Sequence, residues 1–237
     1  MFEDNIHNNK LCILGKLMAT LIHEIRNPLA VIKLNLHFLT MIGNEFPDEL
    51  SESVASSTEA LDRIQRLVDT ISDFSKKNPY SESLSSLNEI TLQALGILRS
   101  TANHLHIIIS YEPIEDLPNL FCDKYKILQI ILNLINNGIE ACGENGVIKI
   151  TIFYNEDKAL IWQIEDNGSG IADEVKEKIF NEFYTSKKDG TGLGLVVCKI
   201  LLEEYFSTLK FDSELGHGSR FYIQFNPKIL EMQNINV

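Results

Sequence analysis

The stretch LIHEIRNPLA, residues 21–30, lies inside a run of regularly spaced apolar residues, and this run decides the first element of the fold. Apolar side chains recur three or four residues apart along it, at Leu14, Met18, Leu21, Ile25, Leu29, Ile32, Leu36 and Leu39. This heptad-like spacing predicts an amphipathic helix over residues 11–42, with one extra residue near Pro28. Because proline has no N–H, the Glu24 carbonyl loses its helical partner and the helix is predicted to bend there.

A second amphipathic helix is predicted to follow the turn GNEFPDE, residues 43–49, and to end near Phe74. Its stripe has Ser57 in one gap and is otherwise apolar, with Leu50, Val54, Leu61, Ile64, Val68 and Ile71. A single helical hairpin buries too little apolar surface to be stable, whereas two hairpins can form a four-helix bundle. We therefore expect a homodimer, and a monomeric hairpin packed against the rest of the chain is the alternative.

The composition is that of a globular protein with an acidic surface. Asp and Glu outnumber Lys and Arg, 33 to 21, and the formal charge of −12 argues against nucleic-acid binding through a broad basic face. No apolar run approaches the ~18 residues of a membrane span. The four cysteines are widely spaced, so neither zinc nor a disulfide framework is expected, and a reducing, cytoplasmic compartment fits best.

After a polar linker in KKNPYSESLSS, residues 76–86, the chain alternates helical and strand patterns. Helices are predicted near residues 88–103, 124–141 and 192–205. Strands are predicted at residues 106–112, 147–155, 159–166, 208–213 and 220–225, the second and third forming a hairpin. This order predicts an α/β sandwich with helices on one face of a mixed sheet.

His23 and Glu24 lie on the part of the first predicted helix that faces away from its apolar seam. His23 is two residues from both Leu21 and Ile25, so at about 100° per residue it points toward solvent. A neutral imidazole is a nucleophile, and the Glu24 carboxylate can hold the ring in one tautomer and accept its second proton. Asn27, one turn later on the same face, can orient a water. Taken alone, such a pair is more often only a solvated helix face.

The helix predicted near residues 124–141 carries amide side chains on its polar side. Gln129, Asn133, Asn137 and Glu140 recur at helical spacing, opposite an apolar face. Asparagine is a poor helix former, so an asparagine cluster is costly for a purely structural helix. An amide oxygen suits Mg²⁺, which keeps most of its waters and takes other ligands from phosphates. A polar surface face is the alternative interpretation.

The stretch IEDNGSGI, residues 164–171, ends a predicted strand with an acidic residue and two glycines. The Asp166 carboxylate can accept a hydrogen bond from an exocyclic amine such as that of adenine. Gly168 and Gly170 allow the backbone to approach a flat ring closely. A simple tight turn is the alternative.

The stretch GTGLGL, residues 190–195, opens a predicted helix with three glycines. Such a loop can aim backbone N–H groups at phosphate, with the helix N-terminus behind them. Lys187 and Lys188, just upstream, can add positive charge. The stretch is neither a Walker A loop nor a dinucleotide fingerprint.

Taken in order, these motifs resemble those of the sensor histidine kinases of two-component signalling, and the resemblance covers residues 11–226. HEIRNPL is similar to the H box of that family. The resemblance implies that His23 is the phospho-acceptor, that Glu24 is the assisting acid or base, and that Asn27 supports phosphatase activity on the partner.

The resemblance extends to the nucleotide-binding boxes of the family. NLINN is similar to the N box, which implies that Asn137 is a ligand of Mg²⁺ and that Asn133 faces the nucleotide. Asp166 matches the adenine-binding aspartate of the G1 box. The other boxes are matched by Phe180 and Phe183 (F box), GTGLGL (G2 box), and Gly216 and Gly218 (a G3-like turn). The implied ATP-binding residues are Asn133, Asn137, Asp166, Gly168, Gly170, Lys187, Gly190, Thr191, Gly192, Leu193 and Gly194.

The resemblance implies a two-domain fold, in which a helical hairpin forms a dimeric four-helix bundle and an α/β sandwich binds ATP, as in gyrase and MutL. The expected segments are a dimerisation and histidine-phosphotransfer hairpin (1–79), a linker (80–86), the ATP-binding domain (87–228) and a tail (229–237). FYTSK and the short lid at 184–189 resemble the nitrogen-regulation and sporulation-kinase branch. Gly138 stands where alanine is usual.

The function implied is an ATP- and Mg²⁺-dependent kinase that phosphorylates His23 and passes the phosphoryl group to an aspartate of a response regulator. Phosphatase activity toward the regulator is a further expectation. One rival is an ATPase or protein-serine kinase of the same nucleotide fold, but those lack the H-E-x-x-N-P hairpin. A second rival is a degenerate kinase that only binds a regulator. Since about ten residues precede the first predicted helix, either a sensor region is missing or a separate sensor protein delivers the signal.

Overall fold

The computed structural model describes residues 25–39, 52–61, 64, 82–187 and 190–231. The described residues fall into two compact units. The first contains helix α1 (25–39), helix α2 (52–61) and the segment Glu182–Leu193. The second contains the described parts of Asn78–Asn181 and Gly194–Val237.

The second unit is an α/β sandwich built on a five-stranded mixed sheet, as the sequence predicted. The strands are ordered β2-β4-β5-β7-β6; β2 runs parallel to β4, and the other neighbours are antiparallel. In chain order its elements are β1 (Ser83–Ser85), α3 (Leu87–His104), β2 (Ile108–Tyr111), β3 (Leu120–Cys122), α4 (Lys124–Cys142), β4 (Val147–Tyr154), β5 (Leu160–Asp166), α5 (Asp173–Lys176), α6 (Gly194–Glu204), β6 (Thr208–Glu214), β7 (Gly218–Gln224) and α7 (Lys228–Glu231).

The two long helices of the sandwich begin at capping side chains. The Ser86 hydroxyl accepts the Glu89 N–H at the start of α3, and the Asp123 carboxylate accepts the Tyr125 N–H at 2.9 Å at the start of α4. Each cap satisfies a backbone donor that has no partner within the helix. Helix α4 packs against the sheet and against helices α3 and α6. Its buried apolar residues are Ile127, Leu128, Ile130, Ile131, Leu134, Ile135 and Ile139.

The helix-covered face of the sheet is built of cross-strand rows, because directly opposed residues of antiparallel strands share a face. The first row consists of Trp162, Ile223 and Leu209, and the second of Ile164, Phe221 and Phe211. The Phe211 and Phe221 rings stack with centroids 5.5 Å apart. The Trp162 indole N–H donates to the Thr91 hydroxyl at 3.1 Å, which ties α3 to the sheet. These two rows form part of the core. The same strand pairing continues into a third row, which is polar.

Four short elements lie where the sequence predicted no regular structure: β1, β3, α5 and α7. Strand β1 lies within the predicted linker, residues 80–86, and pairs antiparallel with β3. Helix α7 begins just before the predicted tail, and α5 is a single turn. Elements of three or four residues are too short to show a periodic pattern, and a distant partner decides whether they form. The domain boundaries themselves stay a prediction.

In the first unit, α1 and α2 are joined by polar contacts. The Asn35 amide donates to the Ser53 carbonyl at 3.3 Å and to the Ser57 hydroxyl at 3.2 Å, and the Ser57 hydroxyl donates to the same carbonyl at 2.8 Å. Large apolar side chains are exposed on both helices: Leu29, Leu34, Leu36, Phe38, Val54 and Leu61. Glu24, whose carbonyl is central to the predicted bend at Pro28, lies outside the described residues. The other residues before 25, the 43–49 turn and the predicted second helix beyond 64 lie outside them as well.

No helix within the described residues is both long and apolar enough to cross a membrane.

Candidate functional site

The helix-covered face of the sheet ends in a row of three polar side chains. Asp166, the last residue of β5, lies directly opposite Ser219 of β7, and Ser219 lies directly opposite Ser213 of β6. Asp166 and Ser219 are buried, at 7% and 6% exposure. A carboxylate is thus buried beside two hydroxyls at the edge of an otherwise apolar face. Because buried polar groups need hydrogen-bonding partners, this end of the face is a candidate binding site for a polar ligand.

Backbone groups orient the Asp166 carboxylate. Its Oδ1 atom accepts the Gly168 N–H at 2.9 Å and the Ser219 N–H at 3.3 Å. These two donors come from the following loop and from the neighbouring strand. The carboxylate is therefore fixed by elements that the sheet itself positions.

The loop after Asp166 packs directly against the backbone at the end of α4 and at the end of β6. A Cβ on Gly168 would lie 2.5 Å from the Ala141 carbonyl carbon, and a Cβ on Gly170 would overlap the Glu214 carbonyl oxygen. Hydrogen bonds hold the same contacts, because Ser169 donates its N–H to Ala141 at 3.1 Å and accepts the Gly216 N–H at 2.7 Å. Glycine is thus required at both positions for packing, whatever the ligand.

The polar side of α4 borders the N-terminus of α6. Asn133 and Asn137 are half-buried, and a Cβ on Gly194, the first residue of α6, would lie 3.8 Å from Asn133 Oδ1. The thiol of Cys198 contacts the Ile130 carbonyl at 3.8 Å and ties α6 to α4. Burial raises the pKa of Cys198 to about 12, so the thiol is neutral. Because a helix N-terminus presents unpaired N–H groups, this corner suits an anionic ligand group.

The donor set fits Mg²⁺ shared with a phosphate ligand. Within the described parts of the chain, no three His, Cys, Asp or Glu side chains come together as a metal-binding group. A metal held here would therefore take one amide oxygen, such as that of Asn137, and complete its sphere with phosphate oxygens and water. That coordination is typical of Mg²⁺ in nucleotide sites.

The first residues of the predicted phosphate loop lie in the first unit, where hydrogen bonds join them to the residues just upstream. Phe183 donates its N–H to the Gly192 carbonyl at 3.1 Å, and a Cβ on Gly192 would overlap the Phe183 backbone. Lys187 donates its N–H to the Thr185 hydroxyl at 3.0 Å, and Gly190 donates to the Lys187 carbonyl. The segment thus brings together five predicted residues: Lys187, Gly190, Thr191, Gly192 and Leu193.

The remaining predicted residues are distributed as follows. Asn27 is exposed on α1, and His23 and Glu24 lie outside the described residues. Phe180 makes an edge-on contact with Phe211, with centroids 5.7 Å apart.

Sequence reasoning missed Ser213 and Ser219. Ser219 directly follows a glycine of the G3-like turn, which could have drawn attention to it. Ser213 has no local signal, because only the strand register places it beside Ser219.

Two family matches divide the chain. Residues 13–79 match the His Kinase A (phospho-acceptor) domain. Residues 122–229 match the histidine kinase-, DNA gyrase B- and HSP90-like ATPase family. The first range includes His23, Glu24 and Asn27, and the second includes the Asp166 site.

Curated proteins of two bacteria resemble the chain over most of its length. Sporulation kinase D of Bacillus subtilis (strain 168) is 34% identical over 216 residues, which are 90% of this chain and 42% of that protein. Sensor histidine kinase ZraS of Salmonella typhimurium (strain LT2) is 33% identical over 217 residues, which are 90% of this chain and 46% of that protein. The chain therefore spans less than half the length of these relatives.

Solved structures show the same fold. The catalytic domain of the histidine kinase ThkA aligns with a TM-score of 0.55 at 31% identity, covering 62% of this chain and 95% of that domain. ThkA in complex with the response regulator protein TrrA aligns with a TM-score of 0.71 at 28% identity, covering 93% of this chain and 64% of that one.

Proposed function

The chain belongs to the sensor histidine kinases, as its motifs predicted, and we propose that it uses ATP to phosphorylate its own His23 and then phosphorylates an aspartate of a response regulator. One observation carries the proposal: a phospho-acceptor domain match over residues 13–79 and an ATPase match over residues 122–229 occur in the same chain. In this proposal residues 1–79 are the dimerisation and phosphotransfer hairpin, and residues 87–228, with β1, are the ATP-binding domain.

In the proposed complex, the buried carboxylate of Asp166 accepts the exocyclic amine of adenine, and Gly168 and Gly170 shape the adjoining loop by packing directly on the Ala141 and Glu214 backbones. The fixed orientation of the Asp166 Oδ1 atom supports this assignment. Asn133 and the N-terminus of α6 contact the phosphates, which their proximity supports.

Further phosphate-binding residues in the proposal are those that the resemblance to the family implies: Lys187, Gly190, Thr191, Gly192, Leu193 and Gly194. Asn137 would hold Mg²⁺, which neutralises phosphate charge when bound.

The proposed chemistry is an in-line phosphoryl transfer. A ring nitrogen of His23 attacks the γ-phosphorus of ATP, so a P–N bond forms while the bond from the γ-phosphorus to the β,γ-bridging oxygen breaks, and ADP leaves. Glu24 accepts the proton from the other ring nitrogen. Positioning and charge neutralisation supply most of the rate enhancement in such transfers.

Partners follow from the same proposal. The exposed apolar residues of α1 and α2, including Leu34 and Leu36, support dimerisation through a four-helix bundle. The complex of the related kinase ThkA with a response regulator protein supports a regulator as phosphoryl acceptor. Asn27, exposed on α1, would orient water for dephosphorylation of that regulator. The free thiols of Cys122, Cys142 and Cys198 fit a reducing, cytoplasmic compartment.

The test is incubation with γ-labelled ATP and Mg²⁺, followed by acid and base treatment of the labelled protein. Wild type is expected to acquire label that is lost in acid and kept in base, as a phosphohistidine requires. His23→Gln is expected to acquire none. His37→Gln is the matched control, because this substitution also removes an imidazole from the same predicted helix. His37 follows His23 by two heptads.

Acid-labile label on His23→Gln would overturn the assignment of the phospho-acceptor. Wild type that acquires no label and shows no ATP binding by calorimetry would favour the degenerate kinase that only binds a regulator.

A further inference from the structure

The Ser213 hydroxyl lies at the centre of the polar row and makes three hydrogen bonds. It accepts the Ile171 N–H at 2.9 Å, donates to the Gly218 carbonyl at 2.8 Å, and lies 2.9 Å from the Ser219 hydroxyl oxygen. It thus connects the far end of the Asp166 loop to the turn between β6 and β7.

Counting protons fixes the direction of the bond between the two serines. A hydroxyl has one proton and two acceptor positions. The proton of Ser213 is used on the Gly218 carbonyl, which can only accept, so the Ser219 hydroxyl is the donor to Ser213. With the Ile171 N–H as its second donor, the Ser213 hydroxyl has no capacity left.

This direction determines what Ser219 can offer a ligand. Its proton is committed to Ser213, so its oxygen presents only lone pairs. Its N–H is committed as well, to Asp166 Oδ1. The two neighbouring side chains on this face, Asp166 and Ser219, therefore both act as hydrogen-bond acceptors.

We propose that Ser213 is a positioning residue that keeps the Ser219 hydroxyl a hydrogen-bond acceptor beside Asp166 and so makes the site prefer adenine to guanine nucleotides. Adenine has an amine, a donor, where guanine has a carbonyl, an acceptor, and two acceptors facing each other repel. The inference rests on the proposed binding of ATP at Asp166 and adds the residue that sets base preference.

The test compares ATP and GTP affinities of the full chain by titration calorimetry with Mg²⁺. Ser213→Ala releases the Ser219 proton and frees the Ile171 end of the loop. We expect its ATP affinity and its ATP-to-GTP affinity ratio each to fall about tenfold. In autophosphorylation, KM for ATP should rise while kcat stays within about twofold. Ser213→Thr keeps the hydroxyl and should restore both the affinity and the ratio.

Ser207→Ala is the matched control. Ser207 precedes the same strand at its other end, is buried at 3% exposure, and also bonds to two backbone groups, of Tyr205 and Asn226. It should lower the melting temperature without changing the ATP-to-GTP ratio, whereas a merely structural role for Ser213 would give the same pattern in Ser213→Ala.

An unchanged ratio in Ser213→Ala would overturn the inference while leaving ATP binding intact. If that variant does not fold, Ser213→Cys keeps nearly the same shape with a weaker donor and acceptor, and a wild-type ratio in it would overturn the inference equally. Wild type that binds neither nucleotide would refute the proposed function, and the inference with it.

Discussion

Gly218 lies directly against the main chain of Asp166. A Cβ on Gly218 would overlap the Asp166 carbonyl oxygen and lie 2.9 Å from the Cα of Asn167. Gly218 also has a positive φ of 86°. Because the atoms in the way belong to backbone rather than to a flexible side chain, the turn before β7 can reach the Asp166 strand only with glycine at this position.

Gly218→Ala is therefore expected to destabilise the sandwich by more than about 3 kcal/mol and to abolish ATP binding. The added methyl group must push β7 away from β5, which removes the Ser219 N–H from Asp166. Chemical unfolding and calorimetric titration with ATP measure the two effects.

Gly216→Ala is the control for backbone strain alone. Gly216 lies in the same turn with φ of 81°, but a Cβ there has no atom within 4 Å. It should cost only about 1 kcal/mol and keep ATP binding. Equal losses in the two variants would contradict the role of the Gly218–Asp166 contact.

Gly138 and Gly96, each inside a helix, should respond differently to alanine. Gly96 of α3 has open space, so Gly96→Ala should raise stability by about 1 kcal/mol through helix propensity. A Cβ on Gly138 of α4 would lie 3.3 Å from the Cδ1 atom of buried Ile148. Gly138→Ala should therefore gain less than Gly96→Ala, because Ile148 must shift. Urea unfolding of both variants checks the order, and a larger gain at Gly138 would contradict it.

Asn35 should contribute to the stability of the helical hairpin. Asn35→Ala removes both of its hydrogen bonds to α2 and leaves the Ser57 hydroxyl with one fewer partner. The expected loss is about 1 kcal/mol. Thermal unfolding followed by circular dichroism at fixed protein concentration measures it. Lys33→Ala, at an exposed position of α1, is the control, and an equal effect of the two substitutions would show that the Asn35 contacts add nothing.

Stability should fall at alkaline pH because of two buried thiols. Burial raises the pKa of both Cys122 and Cys198 from 9.0 to about 12. Below about pH 9 both states keep the proton and the free energy of unfolding is constant. Above it the unfolded chain loses protons that the folded chain keeps, so stability falls until about pH 12, by up to about 1.4 kcal/mol per pH unit for each thiol.

Alanine at Cys122 or Cys198 should reduce this slope, whatever it does to stability at neutral pH. Alanine at half-buried Cys142, whose pKa is also raised by burial, should change the slope less. Unfolding free energies measured from pH 7 to pH 10.5 give the comparison. A slope unaffected by removing both buried thiols would contradict the assignment and point to buried Tyr205, whose pKa is also raised by burial.

The sequence by itself determined the elements that have a long periodic pattern. The apolar face of α4 and the alternation in β4 and β5 predicted helix and hairpin at nearly their observed bounds. Asp166, Gly168 and Gly170 could be predicted as site residues because they form a motif of neighbouring residues in the sequence. These features depend on contacts within a few residues, and local order is visible in a sequence.

Only the tertiary structure decided which distant residues meet. Strand β1 exists because β3 pairs with it, and Ser213 matters because strand register places it beside Ser219 and, through it, in line with Asp166. Gly218 is required because the Asp166 backbone occupies the space a Cβ would take. A register shift of one residue would turn each side chain to the opposite face of the sheet. Such pairings depend on the packing of the whole sheet, so no local stretch of the sequence specifies them.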